Sequence, residues 1–290
     1  MFRGRIHEVI QEVVDSLVYL DPDSLISDLV ERLMESRVVA VTRRDLNFIA
    51  RVFQDKTYFG PACIINRLSK AILSRGGRPR FTDGLIRLSR VLEEQYDRLY
   101  SVLNGFLDYD ESIGVVGYSR GLLDSLLYSR SKIKVVYALE SYPVRSGKML
   151  VSQLRRENVR AYYVPDESVL WVASRASKVI IPVYGSTSDG YTVVEPGGFA
   201  LASTARHIGT PVIGVYPPTA RCMGVESENI TRSHEVSILK RFKVRVAPFD
   251  LVKPEYYDRL ITHEGVAVPR KGIVEELSGL VDSVIEAIIG

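Results

Sequence analysis

Apolar residues in the first third of the chain recur at the three- and four-residue spacing of amphipathic helices. Ile6, Val9, Ile10, Val13, Val14 and Leu17 line one such face. Asp21-Pro22-Asp23-Ser24 is a helix-start signal ahead of Leu25, Ile26, Leu29, Val30 and Leu33. Further helices are predicted after Thr42, over roughly Ala62–Leu73 and over roughly Thr82–Leu107. The pattern changes at Asp108-Tyr109-Asp110-Glu111. Beyond it, short β-branched runs at Ile113–Val116, Lys134–Leu139, Ala161–Val164, Val179–Val183 and Val212–Val215 read as strands. Helical patterns lie between them at about Gly121–Ser129, Gly147–Glu157, Glu167–Arg175 and Gly198–His207, and a last helix at about Gly272–Ile289 is apolar enough to serve as an interface or as core. Repeated β-α-β units of this length imply a parallel sheet with right-handed crossovers. The predicted class is therefore α/β: an N-terminal helical domain (1–108) followed by a Rossmann-like doubly wound parallel sheet (109–290).

Composition changes this picture little. An apolar fraction of 46% and a charged fraction of 25% are those of a globular chain. A net charge of +3 does not argue for direct nucleic-acid binding and leaves room for an anionic small ligand. No apolar run approaches the length of a membrane span, and no signal peptide opens the chain, so a cytoplasmic location is expected. Cys63 and Cys222 are far apart and lack metal-ligand spacing; two free thiols in a reducing compartment are expected, with no metal and no cofactor. His7, His207, His234 and His263 have no partners at ligand spacing. Scarce Asn and Gln beside plentiful Arg, Glu, Tyr and Val point to a thermophilic source.

Candidate chemistry gathers where strands end and helices begin. In an open parallel sheet ligands bind beyond the carboxyl ends of the strands, facing helix N-termini. Gly117-Tyr118-Ser119-Arg120 follows the first predicted strand, and Ser146-Gly147-Lys148 opens the next helix. Both offer amides and a cation to an anion. Glu140 is placed either to hydrogen-bond sugar hydroxyls or to tie down the loop around Pro143. Asp189, in Ser188-Asp189-Gly190, reads as turn chemistry. Trp171 is expected in the core or at a subunit interface, and the tyrosines at 137, 142, 162 and 163 read as packing. The stretch from Tyr216 to Val236 is long enough to form a lid, with Arg221 and Arg232 as its ligand contacts.

Several phrases resemble one family, the initiation factor 2B alpha/beta/delta subunits with methylthioribose-1-phosphate and ribose-1,5-bisphosphate isomerases, and archaeal initiation-factor-2B-like proteins in particular. Gly117-Tyr118-Ser119-Arg120 resembles its G-Y-S-R turn, and Glu140-Ser141-Tyr142-Pro143-Val144-Arg145-Ser146-Gly147-Lys148 its E-S-x-P-x-x-S-G-K phrase. Pro165-Asp166-Glu167 through Ile181, Ser188-Asp189-Gly190 with Gly197-Gly198-Phe199-Ala200, and Phe249-Asp250 through Val266 follow in family order. The resemblance implies a ligand site built from Gly117, Tyr118, Ser119, Arg120, Glu140, Ser141, Arg145, Ser146, Gly147, Lys148, Gly185, Asp189, Gly197 and Gly198. It also implies a homodimer or higher oligomer, with initiation factor 2 subunits as partners.

The family's isomerases use a cysteine after the first strand of the sheet and an aspartate after the fourth. Here the cysteine position falls on or beside Gly117, Pro182-Val183-Tyr184-Gly185-Ser186 carries no carboxylate, and Glu195 stands where the family places a phosphate-contacting lysine. A carboxylate there repels a phosphate. No catalytic residue is therefore assigned. The expected function is a regulatory or assembly subunit that binds a phosphorylated small molecule, a sugar phosphate or nucleotide, without isomerising it. The alternative is a sugar-phosphate isomerase with a relocated acid–base group at Asp189, Glu140 or Glu195. A scaffold with an empty pocket is the third reading.

Overall fold

The computed structural model of the 290-residue chain describes residues 3–16, 25–35, 41–54, 60–75, 81–142, 145–222, 226–230, 234–238, 242–247 and 249–289. Helices come first: α1 (Arg3–Ser16), α2 (Leu25–Glu35), α3 (Arg43–Gln54), α4 (Gly60–Ser74) and α5 (Phe81–Phe106). Thr42 and Asp45 close the start of α3 reciprocally. The Thr42 amide donates to Asp45 Oδ2 at 2.9 Å, and the Asp45 amide donates to Thr42 Oγ1 at 3.3 Å. Asp45 also meets His7 of α1 at 3.0 Å, so the cap pins two helices together. In α5 the buried stripe Leu85, Leu88, Leu92, Tyr96, Leu99 and Leu103 has the three- and four-residue period that turns one face of a long helix inward.

The sheet region follows as β1 (Glu111–Val115), α6 (Arg120–Tyr128), β2 (Ile133–Leu139), α7 (Ser146–Arg156), β3 (Ala161–Val164), α8 (Val169–Arg175), β4 (Lys178–Pro182), β5 (Gly185–Ser186), β6 (Thr192–Val194), α9 (Gly198–Ile208), β7 (Val212–Val215), β8 (His234–Ile238), β9 (Phe242–Val246), β10 (Asp250–Val252), β11 (Arg259–Thr262), β12 (Gly265–Ala267) and α10 (Ile273–Ile289). Seven strands form the central sheet in the order β12-β11-β7-β4-β1-β2-β3, parallel except for β12, which runs antiparallel to β11. The chain thus winds outward from β1 to β3, then returns to lay β4 on the other side of β1. The winding reverses between β1 and β4, the kind of switch point beyond whose carboxyl ends open parallel sheets bind ligands. β5, β6 and β10 form a separate antiparallel ribbon, and β8 and β9 pair as a hairpin.

Two apolar clusters flank the sheet. One holds α1 to α5 together with α6, α7 and the buried face of α10; the other packs α8 and α9 on the opposite face. Val281, Ile285 and Ile288 of α10 belong to the first cluster, so this helix is core within the chain.

Three expectations need correction. Cys63 and Cys222 are joined in a disulfide, because the fold lays the first turn of α4 against the segment after β7 across a sequence separation of 159 residues. The stretch from Tyr216 does not begin as a lid. Tyr216, Arg221 and Cys222 are buried, Pro218–Arg221 forms a 3-10 turn, and a strand starts at His234; Arg232 lies outside the described residues. Of the two placements expected for Trp171, core fails and interface is left: it is 43% exposed, in edge contact with Tyr137, which stacks on Tyr162.

Candidate functional site

The loop after β1 turns at Gly117, whose φ of +85° favours glycine. Its amide donates to Ser141 Oγ at 3.0 Å, joining the ends of β1 and β2. Ser119 caps α6 by accepting from the Leu122 amide at 3.0 Å. Beyond β2, Ser141 and Arg145 both adopt left-handed backbone, and the buried Ser146-Gly147 pair opens α7. Gly147 lies against β2 so closely that a Cβ there would stand 2.9 Å from the carbonyl carbon of Leu139 and closer still to its oxygen.

These amides are occupied by the chain's own carboxylates. Glu195, only 7% exposed, accepts from the Tyr118 amide at 3.0 Å and lies 2.8 Å from the Tyr184 hydroxyl. The same hydroxyl is 2.9 Å from the Tyr118 carbonyl and accepts from its amide at 3.2 Å. Asp166 accepts from the amides of Ser141 and Tyr142, each at 2.8 Å. Asp250 accepts from Gly197 at 3.0 Å and Phe199 at 3.1 Å, filling the N-terminus of α9. A helix start or strand-end loop attracts anions through its unpaired N–H groups. Here Glu195, Asp166 and Asp250 meet that demand from within.

Glu195 is also why position 117 is glycine. A Cβ at 117 would stand 2.9 Å from the Tyr184 hydroxyl and closer still to Glu195 Oε2. Burial pushes the Glu195 carboxyl above its ordinary range, against the hydrogen bonds from Tyr184 and the Tyr118 amide; the charge of Asp166 adds to the rise. The folded state therefore holds this proton more tightly than the unfolded chain does. The stability this contributes is present below the usual glutamate range and is lost as pH rises through the folded pKa. Glu195→Gln removes the titration, so stability measured by denaturant from pH 4 upward should fall less steeply with pH than in the parent. Equal slopes would contradict this seating of the carboxyl.

Glu195 lies against Gly117 and the Tyr118 amide, Gly117 is tied in turn to Ser141, Ser119 caps α6, and Ser146 and Gly147 open α7. Gly197 and Gly198 open α9 on the Asp250 side. Arg120 is exposed and pairs with Asp124 at 3.4 Å, Arg145 pairs with Glu140 at 3.2 Å, and Lys148 is exposed. Glu140 thus ties down its own loop. Gly185 is buried in the ribbon, and Asp189 stands apart, accepting from the amide and hydroxyl of Ser227. Sequence reasoning missed Tyr184, Asp166 and Asp250 as contributors. A cleft of about 290 Å³ opens in front of α6, between α2 and α5, where Arg120 faces Tyr96, Tyr100, Glu93, Asp97 and Asp124. Among the described residues no group of His, Cys, Asp and Glu is placed to hold a metal ion, and no helix is long and apolar enough to cross a membrane.

The same fold occurs in translation initiation factor eIF-2B from Pyrococcus horikoshii OT3, with a TM-score of 0.75 at 17% identity over 93% of this chain and 98% of that one. The tetrameric eIF2B-beta2-delta2 complex from C. thermophilum gives 0.68 at 14% identity, covering 98% of this chain and 95% of that one. The 5-methylthioribose 1-phosphate isomerase from P. horikoshii OT3 gives 0.62 at 16%, covering 96% and 88%. In sequence, 173 residues are 24% identical to the beta subunit of translation initiation factor eIF2B from Schizosaccharomyces pombe. That match takes in 55% of this chain and 44% of the relative, so the chain spans less than half of the relative's length. The sequence pattern of the initiation factor 2 subunit family matches residues 93–269, from within α5 to β12, and the chain belongs to that family.

Proposed function

We propose that this chain is a regulatory or assembly subunit of the initiation-factor-2B type that does not isomerise sugar phosphates. The observation that carries this reading is the Glu195 carboxylate seated on the Tyr118 amide and against Gly117. Moving a proton between adjacent sugar carbons needs an acid–base group at those carbons, and holding the phosphate needs donors that are still available. Position 117 offers no thiol, and the two cysteines of the chain are joined to each other. The segment after β4 offers Tyr184 in place of a carboxylate, and the strand-end amides of Tyr118, Ser141, Tyr142, Gly197 and Phe199 already donate to Glu195, Asp166 and Asp250.

A metabolite has more open space in the cleft in front of α6. There Glu93 and Asp97 suit sugar hydroxyls, and a phosphate would have to draw Arg120 away from Asp124. For assembly, Leu170 (60% exposed), Trp171 and Tyr162 form an apolar patch beside edge strand β3, the kind of surface that marks a protein interface. The tetrameric C. thermophilum complex supports a homodimer or larger assembly here. Initiation factor 2 subunits are the partners this reading names, and the cytoplasm is its location. A disulfide there accords with an archaeal, hyperthermophilic source, whose intracellular proteins are often disulfide-rich.

Light scattering on the purified protein should give a dimer or larger particle, and assays with pentose and methylthiopentose phosphates should show no turnover. Turnover would overturn the reading. It would favour the second one, in which Glu195 is the relocated acid–base group; its raised pKa in a strand-end site is the observation on that side. Loss of that turnover in Glu195→Gln would then identify it.

A further inference from the structure

Arg221 is the largest fully buried side chain among the described residues, 1% exposed, and its position is fixed from several directions. The 3-10 turn that carries it follows Pro217 and begins at Pro218, is stapled to α4 through Cys222 just after it, and is held by Tyr96 and Thr219, whose hydroxyls lie 3.0 Å apart. One guanidinium nitrogen, Nη2, donates to Glu264 Oε2 at 3.0 Å. Among the described residues Nε and Nη1 are buried without a partner, and so is Nδ1 of His263 in the turn after β11. Buried guanidinium nitrogens are costly to leave unpaired, and the great majority in folded proteins have a partner.

Both residues line a cavity of about 120 Å³ at the carboxyl ends of β7 and β11. Its other walls include Ile64, Leu88, Val281 and Ile285, from α4, α5 and α10. The charges in it are few. Glu264, at the half-exposed rim, offsets part of Arg221. Burial and the charge of Arg221 push His263 down to about 4, so its ring is neutral at pH 7 and can carry a proton on Nδ1. A water could meet the nitrogens of Arg221 and His263, but it would leave the apolar walls of Ile64, Leu88, Val281 and Ile285 with no apolar partner. A phosphate dianion also suits it poorly, since one half-compensated guanidinium leaves a net negative charge out of bulk solvent.

We propose that this cavity is a binding site for a small organic monocarboxylate, its carboxylate on Arg221 with His263 beside it and its apolar body against Val281 and Ile285. Such a ligand satisfies the unpaired nitrogens with a charge-assisted pair and buries its hydrocarbon on the remaining walls. It would also touch α4, α5, α10 and two strand ends at once, bracing the helical layer against the sheet. The site is separate from the cleft in front of α6, so it stands or falls independently of the metabolite reading above.

Calorimetric titration of the full chain with isobutyrate, benzoate and inorganic phosphate tests this. One of the two carboxylates should bind at least about tenfold more tightly than phosphate. Arg221→Met should weaken that binding by about tenfold or more, and so should Ile285→Phe, which fills the cavity from another helix and leaves the guanidinium in place. The two variants lie on different elements, so a folding defect in one leaves the other to decide. The proposal is overturned if neither carboxylate binds at up to about 10 mM, if phosphate binds as well as they do, or if a folded variant of either kind binds undiminished.

Discussion

Reducing the Cys63–Cys222 disulfide, or replacing Cys63 with Ser, is expected to lower the free energy of unfolding by about 2–4 kcal/mol. The link closes a loop across 159 residues of sequence and so removes many conformations from the unfolded chain. In the folded state it joins α4, in the helical layer, to the turn after β7. That junction is already tight: a Cβ on Gly60 would stand 2.8 Å from the Cα of Ala220, and the Gly60 amide donates to the Tyr184 carbonyl at 2.9 Å. Thermal melts with and without reductant should differ by roughly 4–8 °C for a chain of this length. Mass spectrometry of the reduced sample confirms that both thiols are free. An unchanged melt with free thiols would show that the crosslink contributes nothing.

Gly147→Ala should destabilise the chain by about 3 kcal/mol, at the upper end of what overpacking usually costs. The added methyl meets the backbone of Leu139, which cannot rotate aside as a side chain would. α7 must then move off β2, taking with it Ser146 and the loop that carries Ser141. Gly105→Ala is the control. That glycine lies in α5, and a methyl added to it would meet nothing within 4 Å, so alanine there should stabilise by about 0.5–1 kcal/mol. Urea denaturation separates the two, with the midpoint falling for the first and rising for the second. Similar midpoints for both would mean that the close approach of α7 to β2 is wrong.

Most strands of the parallel sheet were legible as short runs of β-branched or aromatic residues: Val212–Val215, buried throughout, coincides with β7, and Ala161–Val164, with its two tyrosines exposed at the sheet edge, with β3. β5, β6 and β10 were not, since strands of two or three residues are too short to show an alternating period. β11 escaped because only Leu260 and Ile261 stand between Arg259 and Thr262. At the site, Gly117, Ser141 and Ser146-Gly147 could be placed from strand-end logic. Glu195 was visible as a carboxylate in the wrong position for a phosphate site. That it sits on the Tyr118 amide could not be read from sequence, and neither could the seating of Asp166 and Asp250. Each of those pairings joins segments 24 to 77 residues apart, and only the folded sheet brings them into register. Arg221 was singled out as a lid contact; its burial depends on helices more than a hundred residues away in the chain.

The mutual exclusion between Gly117 and Glu195 also sets an order on how such a chain can change over evolutionary time. A side chain at 117, cysteine included, has no room until Glu195 has gone. Loss of Glu195 alone takes an acceptor from the Tyr118 amide and the Tyr184 hydroxyl before any new chemistry is gained. The path from this arrangement to a thiol at the end of β1 therefore crosses a disadvantaged intermediate. Selection acting one substitution at a time tends to hold the chain on its present side of that barrier.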